Sequence, residues 1–232
     1  MRWCLLTALI LLTGCATTVR GEFKDAQASK LLIAALDGDE AKAERLAKEG
    51  ANVNAITDDG ATPLIFAVNE RNLDAANILL KLGANPNEFR ISEVGEAGDF
   101  DPPVWKSAWW GEKAMLNALL NHGGDPNQTF GTHSALMMAV AYSHLDCAEL
   151  LLTKGADINL AMGPVTALTE AMTGDQFDNV IWVLDHGYTH DLPMARKLLE
   201  ISNPRPEQAA LRVQALAIVD RLISQQGSNG HK

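Results

Sequence analysis

An all-helical repeat solenoid, built from about five to six helix-turn-helix units joined by hairpin loops, is the fold class predicted for this chain of 232 residues. Two marks that recur in phase predict it. Glycines suited to end helices stand at Gly50, Gly83, Gly123, Gly155 and Gly187, spaced 33, 40, 32 and 32 residues apart. Helix starts keep the same register at Thr62-Pro63-Leu64, Pro102-Pro103-Val104, Ser134-Ala135-Leu136 and Thr166-Ala167-Leu168, and more faintly at Ser29-Lys30-Leu31. Each start is followed by a small residue where two helices must approach closely: Ala34, Ala67, Ser107, Ala139 and Ala171.

Gly60 to Asn87 shows the unit most clearly. Thr62 can cap a helix, and Pro63 suits its first position, where a missing N–H costs nothing. Asn72 breaks that helix near Glu70, and a second follows with apolar residues at Leu73, Ala76, Leu79 and Leu80. Gly83 then closes it in the left-handed turn that only glycine adopts cheaply. Neither short helix covers its own apolar stripe, so the units must stack.

The pattern of a turn, a TPL-type helix start, a second helix and a GANVN or GADIN close resembles the ankyrin repeat, over about residues 28–226. The histidine that follows TPL in that family is replaced by Ile65, Trp105, Met137 and Thr169, so the resemblance implies a lost hydrogen bond and a looser turn. The units are placed at about 28–57, 58–90, 91–130, 131–160 and 161–190, with a closing cap at 191–226 and a disordered tail at 227–232. The third carries an acidic insertion over 88–101, with Glu88, Glu93, Glu96, Asp99 and Asp101 against Arg90. Its glycines, Gly95 and Gly98, suit a mobile loop.

The first 14 residues read as a signal peptide: Met1-Arg2 is a small positive start, and Trp3 to Leu12 is apolar but too short to span a bilayer. Leu12-Thr13-Gly14-Cys15 resembles a bacterial lipobox, which implies cleavage before Cys15 and acylation of that residue. Ala16 after it implies the outer membrane, facing the periplasm; a soluble periplasmic protein with an ordinary signal is the alternative. Residues 15–27 then read as a lipidated tether, able to hold the array about 30 Å from the membrane at ~3.3 Å per residue. Of three cysteines, Cys147 alone remains unassigned, and it reads as a small buried apolar residue.

A formal charge of −10 makes nucleic acid an unsuitable partner and favours basic ones. The chain carries no catalytic or nucleotide-binding motif, and no metal or cofactor site is expected. His144, Asp146 and Cys147 are adjacent yet point different ways on a turn and helix start, while His186 and His190 are separated by a helix break. The expected function is therefore binding, without catalysis.

The family register implies that hairpin tips and the ends of each first helix face a groove. Here those helix ends are Asn69 and Glu70, Trp109 and Trp110, Ala141 and Tyr142, and Thr173 and Gly174. Trp105 lies one turn before Trp109, giving an aromatic stripe beside Tyr142. With Asp58, Asp59 and Phe100, these residues (Asn69, Glu70, Trp105, Trp109, Trp110 and Tyr142) form the candidate partner-binding set. Acids around the groove (Asp58, Asp59, Glu70, Glu96, Asp99, Asp101, Glu112) suit a protein partner with a basic rim. Membrane anchoring would place an inhibitor where a periplasm-acting toxin such as a secreted lipase acts, and a rigid groove with aromatic anchors suits occlusion, so an immunity protein is the expected role. The alternative is a periplasmic scaffold or accessory factor for an envelope or stress-defence enzyme.

Overall fold

The computed structural model describes residues 23–58, 60–89, 101–173 and 176–229. Five helix pairs and a cap follow one another: α1 (Ala26–Leu36) with α2 (Glu40–Lys48), α3 (Pro63–Asn69) with α4 (Leu73–Lys81), and α5 (Pro103–Trp109) with α6 (Lys113–Asn121). Then come α7 (Ala135–Ala141) with α8 (Leu145–Thr153), α9 (Ala167–Thr173) with α10 (Phe177–Asp185), and the cap of α11 (Leu192–Ile201) and α12 (Ala209–Asn229). Two-residue hairpins precede the fourth and fifth pairs: β1 (Thr129–Phe130) with β2 (His133–Ser134), and β3 (Ala161–Met162) with β4 (Val165–Thr166).

Local chemistry sets each pair. Thr62, Asn72 and Ser134 accept hydrogen bonds from the amides of Ile65, Ala75 and Met137, capping α3, α4 and α7. At the other end, the amides of Ala51, Ala84, Gly124, Ala156 and Tyr188 return to carbonyls of the last turn at 2.9–3.3 Å. The glycine before each carries φ between 87° and 98°, a conformation costly for any residue with a Cβ. First helices stack in one row, α3 on α5 on α7 on α9, and α4, α6 and α8 stack behind them. The small residues Ala34, Ala67, Ser107 and Ala139 are fully buried between the rows, and Ala171 nearly so.

The closing asparagines bind the units to one another. Side chains of Asn54, Asn87, Asn127 and Asn159 each accept from an amide of the next unit, at 2.7, 2.8, 2.7 and 2.6 Å. Each also donates to the next helix-ending glycine carbonyl, at 3.1, 2.8, 3.3 and 3.3 Å. Asp25 starts this ladder by accepting from Asn52, and its second role is to cap α1 through Gln27. Those amide donors, Gln27 first, hold the Asp25 carboxyl below the usual carboxylate range. Asn127→Ala removes two bonds across one interface and is expected to cost about 1–3 kcal/mol, read as a lower urea midpoint. A midpoint equal to wild type contradicts a stabilising ladder.

Several sequence expectations are corrected. The first helix starts at Ala26 behind Asp25, ahead of Ser29, and runs 11 residues where its counterparts run seven. Phe23 is buried against Phe66, with ring centroids 5.7 Å apart, so the stretch read as tether contributes to the core from Phe23 onward. At the other end α12 continues through Asn229, three residues into the stretch read as a disordered tail.

The turns are also better tied than the missing histidines imply. Met137 Sδ accepts from the Ser134 amide at 3.3 Å, and Thr169 Oγ1 accepts from the Thr166 amide at 2.8 Å. In the third unit Gln128 reaches back and accepts from the amides of Val104 and Trp105. Different side chains thus satisfy the orphan amides of three helix starts. The turn between paired helices needs a left-handed residue, and it falls on Gly38 and Gly111 but also on Arg71 and Ser143, with φ of 51° and 61°. Such backbone costs on the order of 1 kcal/mol outside glycine.

A groove across the third to fifth units

Helical spacing puts Trp105 and Trp109 on one face of α5, with ring centroids 5.4 Å apart. Tyr142, the residue capping the end of α7, stands edge-on to Trp109 at 6.0 Å. On the other side Phe130, at the tip of the β1–β2 hairpin, meets Trp105 edge-on at 5.4 Å. Trp105 Nε1–H donates to the His133 carbonyl at 3.1 Å, which fixes the hairpin against the helix.

Trp105, Phe130 and Tyr142 line an open cleft of about 520 Å³ together with Met138, His133, Glu170 and Thr173, while Trp109 packs against Trp105 and Tyr142 outside that lining. Trp105 is 7% exposed and forms its floor, Trp109 is half-buried, and Tyr142 is 54% exposed on its wall. Phe130 and His133 were not anticipated from sequence. Their signal was an aromatic residue at a finger tip just before Gly131, whose φ is 59°.

Trp110 is used differently. Arg71 and Lys106 each place their cationic group 4.8 Å from its ring centre, so its π face is occupied within the protein. Asn69 and Glu70 end α3 half-buried, and neither lines the cleft.

Three acids of the expected rim are paired with a base. Asp58 pairs with Lys24 at 2.8 Å, Glu112 with Arg71 at 3.1 Å, and Asp101 with Lys106 at 3.5 Å. The last pair is buried, with Asp101 7% and Lys106 5% exposed, so Asp101 does not front the groove. Asp59, Phe100, Cys15 and the insertion from 90 to 100 lie outside the described residues. Glu170, at a position the family usually fills with an apolar residue, lies in the cleft instead, its side chain 14% exposed.

The histidines of the array have structural partners. His186 stacks on Trp182 at 4.0 Å, bonds the Trp182 carbonyl, and reaches Glu149 at 3.1 Å. The His144 ring fills the space a Cβ on Gly111 would occupy, 2.5 Å away, which reserves that position for glycine. Among the described residues no group of three or more His, Cys, Asp or Glu could hold a metal ion. No described helix is long and apolar enough to cross a membrane.

Cys147 is fully buried, and burial, with Asp146 beside it, pushes its thiol up to about 12. The thiolate is the reactive form, so at pH 8 Cys147 is expected to resist an aromatic disulfide reagent until urea unfolds the array. Fast modification of the native protein contradicts its buried, neutral state.

Comparison with known proteins decides the family. The model of ankyrin repeats in three copies matches residues 5–90 and 104–194, well over half the chain. The chain belongs to the ankyrin-repeat family. The first match begins within the stretch read as a signal peptide, outside the described residues.

The array is 29% identical over 120 residues to an E3 ubiquitin-protein ligase of Arabidopsis thaliana, covering 51% of this chain and 7% of the relative. It is 28% identical over 145 residues to an ankyrin repeat protein of fowlpox virus, covering 62% and 32%. A third relative, an ankyrin repeat and KH domain-containing protein of Caenorhabditis elegans, is 32% identical over 190 residues, covering 68% and 7%. The chain thus spans a third or less of each relative, and the similarity carries the repeat architecture. Ankyrin repeats generally mediate protein–protein interaction and are typically binding modules without catalysis.

Proposed function

We propose that this ankyrin array binds another protein through the aromatic cleft that spans its third to fifth units. The observation that carries the reading is the continuous row of Phe130, Trp105, Trp109 and Tyr142, partly exposed at the centre of the row of first helices. Aromatic anchors in a central pocket are where partners gain most of their affinity. The helix pairs beneath hold the anchors in place, so little ordering cost is left for binding.

The finer reading is a protein tethered to the bacterial outer membrane by acylated Cys15, facing the periplasm and neutralising a periplasm-acting toxin such as a secreted lipase. It is supported by the lipobox-like Leu12-Thr13-Gly14-Cys15 and by a preformed cleft suited to occluding a partner. Tethering would raise the inhibitor's local concentration where such a toxin acts.

Two experiments test this reading. Cys15→Ser should abolish incorporation of labelled palmitate and release the protein from the membrane fraction; unchanged membrane retention overturns the anchor. Cells lacking the protein should be killed by a delivered effector that wild type survives, and the Trp109→Ala, Tyr142→Ala double variant should fail to rescue them. Equal survival against every delivered effector overturns the immunity reading. A resident envelope enzyme captured by the array in its place points to the scaffold role.

A further inference from the structure

We propose that the cleft is an arginine-side-chain pocket, so that the partner inserts an arginine between the aromatic wall and the Glu170 carboxylate. The inference rests on the binding reading above and adds the chemistry of the inserted group. Trp105, Phe130 and Tyr142 contribute ring surface to the cleft, and Glu170 contributes a carboxylate to the same wall. Its side chain is 14% exposed, and the His133 imidazole places Nε2 3.7 Å from its carboxylate, beyond hydrogen-bond reach.

A carboxylate held among aromatic faces suits a planar cation: the rings attract it through their negative faces, and the carboxylate accepts two parallel N–H bonds. Guanidinium meets both demands, where an ammonium meets them only as a point charge. The surrounding charges favour the same guest. Asp58, Glu112 and Asp101 are paired with Lys24, Arg71 and Lys106, while the chain as a whole carries a formal charge of −10, so an approaching cation is drawn in and Glu170 receives it. Met138, Ala141 and Thr173 also line the cleft and bring no charge.

The test titrates the full chain with Nα-acetyl-arginine amide and with its citrulline counterpart, equal in shape but neutral, following tryptophan fluorescence. The arginine compound is expected to saturate the signal and to bind at least tenfold more tightly than citrulline, about one factor of ten for each charge-assisted hydrogen bond that the neutral group forgoes. Glu170→Gln should weaken arginine binding about tenfold with an unchanged melting profile. Should that variant fail to fold, Tyr142→Ala, at an exposed position, must weaken arginine binding likewise. Equal binding of arginine and citrulline overturns the proposal, as does an acetyl-lysine-amide affinity matching that of arginine. A partner whose capture needs Tyr142 yet tolerates Glu170→Gln overturns the arginine pocket alone. Arginine binding without any effect of Tyr142→Ala on partner capture leaves the pocket standing and overturns the binding reading.

Discussion

Lys106→Met is expected to destabilise the array by about 3–5 kcal/mol, the loss that follows removal of one member of a buried ion pair. Lys106 is 5% exposed and lies 3.5 Å from Asp101, itself 7% exposed, and its ammonium also sits 4.8 Å from the centre of the Trp110 ring. Methionine preserves the stem and deletes the charge, leaving the Asp101 carboxylate buried without that ammonium. The double variant Lys106→Met, Asp101→Asn should recover much of the loss, because a neutral amide costs less to bury than a charge. Urea unfolding of the four proteins closes the cycle. A single variant within about 1 kcal/mol of wild type would show that the pair contributes little. The position matters because Asp101 adjoins the acidic insertion and Lys106 lies one residue from Trp105, so the pair fixes the end of that insertion to the helix carrying the groove's aromatics.

Trp105→Ala and Tyr142→Ala should separate support from contact. Trp105, 7% exposed and packed against Trp109 and Phe130, should cost about 3–5 kcal/mol when truncated, as large buried aromatics do. Tyr142, 54% exposed, should cost under about 1 kcal/mol and yet weaken partner capture at least tenfold. Thermal or urea unfolding reads the first quantity and quantitative capture the second. The reverse order, a tolerant Trp105 and a destabilising Tyr142, would mean that the cleft floor and wall are wrongly assigned.

The helix pairs were legible in the chain because their boundaries are decided locally. Thr62 with Pro63 and Asn72 each set a helix start by bonding amides one turn away, and Gly83 ends its helix by a backbone angle few other residues tolerate. Arg71 and Ser143 were not legible as left-handed residues, since their neighbours impose that strain and their own chemistry does not favour it. Phe23 was missed for a related reason: a lone aromatic outside any periodic run reveals its burial only once Phe66 is placed beside it.

The candidate site was half legible. Helical spacing was enough to pair Trp105 with Trp109, and repeat register brought Tyr142 alongside. What register does not encode is which side chains neutralise one another across units. Pairing of Asp58 with Lys24 and of Glu112 with Arg71 depends on how the units stack, and it neutralises two acids of the rim that composition suggested. Cover of Trp110 by Arg71 and Lys106 arises the same way. Glu170 stands where the family usually places an apolar residue, and stacking makes it a carboxylate of the cleft.

Binding through the cleft is read by crosslinking in living cells with a photoreactive phenylalanine derivative. It is placed in turn at Tyr142, on the cleft wall, and at Glu149, on α8 away from the cleft lining. One discrete crosslinked polypeptide is expected from position 142 and none from position 149. The same polypeptide captured from position 149, with none from position 142, would contradict it and move the binding surface to the second-helix face.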